Sequence, residues 1–433
     1  MSAEILDQLR AGALRGTTRL DLSAGLTEVP PEILTLADSL EILNLSTNCL
    51  TDLPDWLPEL KNLRVLFCSN NPFRHVPEIL GQCPVLDMVG FKSCQIETVS
   101  ATALPRRLRW LILTDNQLAT LPAELGSRAR LQKLMLSGNR LTSLPPEMAQ
   151  CESLELLRLA ANQFATFPEW LWDLPSLAWL AVAGNSCTLI PASPAKPFRE
   201  IPWSQLTMGL LLGEGASGLI HQAAWTPDAG QPPCGVAVKL FKGAMTSDGL
   251  PASEMAACLA VGGHPQCLGA IGRIAGHPEE LEGLVMPLLG PGYRPLAGPP
   301  SLESCTRDTY APEARFSARQ ALGLITPIAT AAAHAHALGF LHGDLYAHNI
   351  LHFAGGAALL SDFGAASSYP PGDRNKIERL EVRALGILMQ EILDRCGDHP
   401  GLPVGLPALP GLCMQPGVSA RPGFQEILER LRG

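Results

Sequence analysis

Between residues 17 and 187 the pattern Leu-x-x-Leu-x-Leu-x-x-Asn-x-Leu returns every 23 residues, with one interval of 22, and it constrains the fold of this 433-residue chain more than any other feature. Leu40, Leu43, Leu45, Asn48 and Leu50 make one copy, and Leu108, Leu111, Leu113, Asn116 and Leu118 another. Leu131, Leu134, Leu136, Asn139 and Leu141 make a third, and further copies start at Leu63, Leu86, Leu154 and Leu177. A weaker one at Thr17 brings the number to eight. A unit this short cannot bury its own leucines, so the copies must stack into one array in which each covers its neighbour.

Within a copy, leucines two apart, such as Leu43 and Leu45, point to the same side of a short strand and face inward. The Asn amide carries both donors and an acceptor, so it can satisfy backbone groups where the chain turns away. Leu-Pro pairs at Leu53, Leu121 and Leu144 fall on the return path, where proline favours an extended or turn-like route over a long helix. The pattern resembles the leucine-rich repeat horseshoe. That resemblance implies an α/β solenoid with an N-terminal cap over residues 1–190, and a role in binding more than in catalysis. Residues flanking the second leucine should line the concave face, among them Val65 and Phe67, Trp110 and Ile112, Met135, and Trp179. Contiguous apolar surface marks an interface unless neighbours shield it. The expectation is that this face docks a protein or peptide, or the chain's own second domain.

A net charge of -9 with no run of Lys or Arg argues against nucleic acid as a partner. Twelve cysteines are scattered without a Cys-x-x-Cys pair, and several take apolar positions of the repeat, which suits buried thiols in a reducing cytoplasm. The first ten residues already carry Glu4, Asp7 and Arg10, unlike an export signal. Ala321 to Leu341 is apolar and about bilayer length, yet it holds Pro327, His334 and His336 and is expected to be a buried helix, so no membrane span is expected.

After Cys187 the repeat ends, and Pro191 to Pro197 opens a proline-rich linker expected over residues 191–202. A second domain should fill residues 203–433. Its glycine loop is Gly213-Glu214-Gly215-Ala216-Ser217-Gly218, and Lys239 follows 21 residues after Gly218 in Val236-Ala237-Val238-Lys239. A lysine on an apolar strand needs an anionic partner. Glu254 stands ten residues before His264-Pro265, as that partner or as a solvent-facing glutamate. Leu284-Val285-Met286-Pro287-Leu288-Leu289 is an apolar strand. Further on, His342-Gly343-Asp344-Leu345-Tyr346-Ala347-His348-Asn349 places Asp344 five residues before Asn349, and Asp362 of Asp362-Phe363-Gly364 comes thirteen residues later.

Taken in this order, these strings resemble the eukaryotic-type protein kinase family. The resemblance implies an α+β bilobal domain, with an N-lobe over about 203–290 and a C-lobe over about 291–433. It implies ATP and Mg2+ as cofactors. Asp344 would be catalytic base, and Lys239, held by Glu254, would position phosphates under Gly213, Gly215 and Gly218. Asn349 and Asp362 would hold the metal. Ala237, Met286, Leu288, Leu289 and Leu351 would surround the adenine, although residues 284–289 read equally well as a plain core strand. Glu381 to Gly386 resembles the following core helix, and Arg421-Pro422-Gly423-Phe424 the final helix signature, unless Arg421 is a solvated arginine.

The chain departs from that family in four places. Gly343 replaces the arginine that reads a phosphorylated activation loop. Tyr346 replaces a phosphate-contacting lysine, which leaves His348, if protonated, as a cation. From Asp362 to Glu381 there is no Ala-Pro-Glu and little room for a substrate platform, so Arg421 lacks its usual glutamate. The sequence therefore reads as an ATP-dependent protein kinase directed at serine or threonine, with repeats that recruit a partner. An ATP-binding scaffold or a small-molecule phosphotransferase stays open as the alternative.

Overall fold

The computed structural model describes residues 2–432 except 189–197, 216, 228–229, 244, 354–357 and 398–400. The proline-rich Pro191–Pro197 segment and Ala216 of the glycine loop lie outside the described residues. Two compact units divide the chain, Met1–Leu174 and Pro175–Gly433.

The first unit starts with helix α1 (Ser2–Arg10) and continues through seven three-residue strands. These are β1 (Arg19–Asp21), β2 (Ile42–Asn44), β3 (Val65–Phe67), β4 (Met88–Gly90), β5 (Trp110–Ile112), β6 (Lys133–Met135) and β7 (Leu156–Arg158). All pair in parallel, with central residues aligned: Leu20 with Leu43, Leu43 with Leu66, Val89 with Leu111 and Leu134 with Leu157. Those central side chains are almost wholly buried. Return segments are 3-10 turns such as Leu57–Glu59 and Pro146–Gln150, as the proline pattern requires.

The asparagines act as expected. The Asn116 amide donates to Phe91 O at 2.7 Å and Leu113 O at 3.0 Å, and its oxygen accepts from Ile96 N at 3.0 Å. Asn48, Asn71, Asn139 and Asn162 repeat this bridging, each buried. In the copy starting at Leu86 the position is Cys94, whose thiol reaches Cys68 O at 3.5 Å. The residue before each of these is left-handed in most copies, from Thr47 at φ 61° to Ala161 at φ 52°, which swings the amide under the strand ends. Two return turns touch backbone to backbone. A Cβ on Gly81 would meet Thr102 O, and one on Gly126 would meet Glu147 O.

Along the concave face Phe67, Trp110 and Ile112 are half-buried, whereas Val65 and Met135 are buried at 4% and 9% exposure. Lys133 Nζ sits 4.2 Å from the Trp110 ring centroid, a cation over an aromatic face. The apolar face expected from the sequence is thus narrower than its residue types suggest.

The second unit contains the strand of the eighth repeat, β8 (Trp179–Ala181). A six-stranded sheet follows, built from β9 (Glu200–Pro202), β10 (Leu206–Glu214), β11 (Gly218–Trp225), β12 (Cys234–Phe241), β13 (Gly272–Ala275) and β14 (Gly283–Pro287). Its order is β10-β11-β12-β14-β13-β9, and helix α2 (Pro251–Val261) intervenes in sequence between β12 and β13. Glu200–Pro202, expected to end the linker, instead form a strand parallel to β13. The reason is Ile201, which is fully buried in the core with Trp225, Val238 and Val285.

The remainder is mostly helical. Strand β15 (Arg294–Pro295) pairs with β17 (Ile350–His352), which pairs with β18 (Ala358–Leu360), and β16 (Phe340–Leu341) pairs with β19 (Ser367–Ser368). Among the described residues the helices here are α3 (Ala318–Ala337), α4 (Arg374–Leu393), α5 (Leu409–Cys413) and α6 (Phe424–Arg432). Helix α3 starts with a capping box between Ser317 and Gln320 and buries His336. No helix among the described residues is long and apolar enough to cross a membrane. The cysteines are all free thiols, and eight of the twelve are buried.

Asn116→Ala strands buried backbone groups at three points and should cost about 1–3 kcal/mol. Exposed Asn62, with one bond to Asp38 O, should cost under about 0.5 kcal/mol on the same change. Urea denaturation of the two variants beside the wild type measures both.

Candidate functional site

A cleft of about 310 Å³ opens between the six-stranded sheet and the helical part of the second unit. Gly215, Gly218, Lys239, Glu254, Met286, Asp344, Asn349, Leu351 and Asp362 all line it. Gly213, Ala237, Leu288 and Leu289, singled out with them in the sequence, are not among its lining residues. Ala237 nevertheless pairs with Met286 across β12 and β14, and Gly213 pairs with Ile220 at the base of the glycine turn.

Lys239 enters from β12, where alternation sends it toward the cleft while Val238 goes to the core. Its ammonium is ion-paired with Glu254 of α2, whose residue is only 3% exposed. Burial pushes the Glu254 carboxyl above its usual range, against the opposing pull of Lys239. The solvent-facing alternative for Glu254 is therefore set aside.

On the opposite wall the loop after β16 is organised by hydrogen bonds. Asp344 N donates to His342 Nδ1 at 3.2 Å, so His342 must carry its proton on Nε2, which donates to Ser361 O at 3.0 Å. Asn349 Nδ2 donates both to Asp344 O at 2.9 Å and to Asp344 Oδ2 at 2.8 Å. With its nitrogen so engaged, the Asn349 amide oxygen is the atom left to meet a cation. Asp362 has a left-handed backbone at φ 56° and accepts from Gly364 N at 3.1 Å, while Phe363 beside it is buried against the His342 ring at 4.8 Å. An amide oxygen and a carboxylate are the hard oxygen donors that Mg2+ prefers.

The loop rests on Glu381 of α4, which is fully buried. Its two oxygens accept from His342 N at 3.2 Å and Gly343 N at 2.7 Å, and His336 Nε2 lies 2.8 Å away. Burial alone would raise the Glu381 carboxyl, but the His336 hydrogen bond and the charges around it hold it below the usual range.

Sequence reasoning missed Asp308. Its oxygens accept from His348 N at 3.0 Å and lie 2.7 Å from His348 Nδ1. Burial works against the charged His348 ring, yet the Asp308 hydrogen bond and the Asp344 charge raise its pKa overall. His348 Nε2 stands 3.9 Å from Asp344 Oδ2, so the ring, when protonated, puts a cation beside that carboxylate. Nothing in the residues around Asp308 signals this role, because its partner is 40 positions away.

Three of the departures from the kinase pattern also find their surroundings. Gly343 has φ 77°. Tyr346 is buried and stacked on Trp179 at 4.1 Å, so Trp179, expected on an open concave face, is itself 1% exposed. Arg421 is buried, not solvated, and donates to Gln415 O at 2.8 Å, Arg379 O at 3.1 Å and Pro175 O at 2.7 Å. Burial lowers its pKa to about 10.

Comparison with known proteins gives three family matches. A protein tyrosine and serine/threonine kinase model matches residues 206–385, and leucine-rich repeat models match 39–60 and 129–186. Among curated proteins, an adenylate cyclase of Podospora anserina is 30% identical over 127 residues. That stretch is 28% of this chain and only 6% of that relative's length.

The raised His348 pKa has a signed consequence. A folded value above 6.5 means the Asp308–His348 pair stabilises fully below that pH and loses its contribution as pH rises through the raised value. The melting-temperature gap between wild type and His348→Gln should therefore be widest near pH 6 (roughly the unperturbed histidine value) and narrow steadily toward alkaline pH.

Proposed function

We propose that this chain, which joins leucine-rich repeats to a protein kinase domain, transfers the γ-phosphoryl group of ATP to a serine or threonine hydroxyl of a protein recruited by the repeats. The observation that carries the reading is the convergence of five groups on one cleft: the closed Lys239–Glu254 pair, Asp344, Asn349 and Asp362.

In this reading Lys239 binds the α- and β-phosphates, and Glu254 keeps the ammonium aimed at them. Gly213, Gly215 and Gly218 let the turn between β10 and β11 cover the phosphates at backbone distance. Met286 and Leu351 face the adenine, with Ala237 beside Met286 and the Leu288–Leu289 backbone as the hydrogen-bonding edge. Asn349 Oδ1 and the Asp362 carboxylate would hold Mg2+, which neutralises phosphate charge when bound. Asp344, oriented by Asn349, accepts the hydroxyl proton, and charged His348 at its side favours anionic phosphate in a role other kinases give to lysine.

Leucine-rich repeats serve protein interaction. Here Phe67, Trp110 and Ile112 provide the accessible apolar side chains of the concave face, and Trp179 is withdrawn from it by burial. The free thiols favour a reducing compartment such as the cytoplasm.

The test is incubation with Mg-ATP labelled in the γ-phosphate, followed by phosphoamino-acid analysis. Asp344→Asn should cut transfer by about 10²–10⁴-fold and Asp362→Ala should abolish it, with folding retained. ATP that raises the melting temperature without any transfer from the wild type would replace the kinase reading with a nucleotide-binding scaffold. Label on a small acceptor but never on protein would make the chain a small-molecule phosphotransferase.

A further inference from the structure

Each place where this chain departs from the kinase pattern meets the same stretch of polypeptide, residues 175–188, which holds the strand of the eighth repeat and lies inside the second compact unit. The Trp179 indole stacks on Tyr346 with planes 7° apart, and its Nε1 donates to Leu345 O at 3.1 Å. Those two residues follow Asp344 directly. Leu180 O would lie 2.5 Å from a Cβ on Gly343, and Ala365 O 2.8 Å from it, so neither an arginine nor any other side chain fits there. Val182 N donates at 3.0 Å to Ser367 Oγ in β19, the strand that pairs with Leu341 just before His342.

Arg421, without its customary glutamate, gives Nη2 to Pro175 O at 2.7 Å, and Arg383 gives Nε to Ser176 O at 3.0 Å. The turn after β8 reaches α2 as well. A small cavity of about 10 Å³, roughly one water in size, is bounded by Ala183, Gly184 and Thr188 on one side and by Ser253 and Ala256 on the other. Ser253 immediately precedes Glu254.

We infer that the eighth-repeat segment, residues 175–188, is a built-in positioning element of the phosphotransfer site, with Trp179 as its principal positioning residue. It holds the Asp344 loop in the way a phosphorylated activation segment does in kinases that carry the arginine. The short Asp362–Glu381 interval is then sufficient, because a strand from the repeats supplies the missing support. The site is organised without loop phosphorylation, and anything that displaces the segment would disorder the catalytic loop first. This inference rests on the kinase reading for its activity readout, but its structural readout does not.

The experiment uses the full chain as wild type, Trp179→Ala, Trp179→Phe and Ser367→Ala. Hydrogen exchange of the amides in residues 341–349, ATP-induced thermal shift, and kcat against KM for ATP are measured on each. Trp179→Ala should speed exchange in that loop and lower kcat by about tenfold or more, with KM for ATP within about twofold. Trp179→Phe keeps an aromatic ring over Tyr346 and should recover most of both. Phosphatase treatment of the wild type should leave its rate unchanged.

Wild-type exchange and kcat in Trp179→Ala, or loss of activity after phosphatase treatment, would overturn the inference. Should Trp179→Ala unfold, with helix α4 exchanging as fast as the loop, Ser367→Ala decides, since it removes the bond from Val182 N of the segment: loop exchange unchanged from wild type in that variant would count against it. A wild type that transfers no phosphate would refute the kinase reading alone, since the exchange comparison still decides the positioning role.

Discussion

The second unit depends on one buried carboxylate. Glu381 reaches up from α4 to take two backbone N–H groups of the His342–Asn349 loop and across to the His336 imidazole of α3, with no solvent on any side. Burying a charge is expensive, and it persists only where hydrogen bonds replace the lost water. Here three donors do so. Because His342 and Gly343 hang from the same carboxylate, Asp344 next in sequence inherits a fixed direction, and Asn349 then fixes its carboxylate from the other side. Tyr369 closes the network through its hydroxyl, 2.6 Å from His336 Nδ1. Removing Glu381 would leave two orphan amides and a buried imidazole, a loss of about 3–5 kcal/mol by analogy with broken buried pairs.

What the sequence reveals and what it hides divide along the distance between partners. The repeat frame is legible because each leucine and asparagine answers a neighbour one period away, and the Asn116 bridge follows from the residue type alone. Asp344, Asn349 and Asp362 are legible because they lie within 18 positions of one another in a fixed order. Asp308, His336 and Trp179 are not. Their partners lie 40, 45 and 166 positions away, and their local sequence is compatible with a plain surface or core role. Strand alternation places Trp179 on one face of β8, but it carries no sign that Leu345 and Tyr346 occupy that face. Likewise Ile201 resembles linker in the sequence, because a three-residue edge strand has too few positions to show a pattern.

The electrostatics of the cleft follow from the same economy of charged groups. Lys239 is neutralised by Glu254, whereas the exposed Asp362 carboxylate takes the Gly364 amide and forms no ion pair among the described residues, which suits a divalent ion more than a second lysine. The ring beside Asp344 is that of His348, and Asp308 behind it favours its protonated form. A lysine at the Tyr346 position would have supplied a permanent charge. The aromatic ring there instead serves as a contact surface, so in this chain the charge on that wall depends on pH.

The tight turns at Gly81 and Gly126 bear on how such an array can be altered. Each glycine belongs to one repeat, while the backbone that would collide with a larger residue belongs to the next. Adjacent repeats are therefore matched in pairs, the third to the fourth and the fifth to the sixth. Although the 23-residue period makes the copies look interchangeable, shuffling or duplicating single repeats would set side chains against these contacts. The natural module for lengthening or shortening this solenoid is the matched pair.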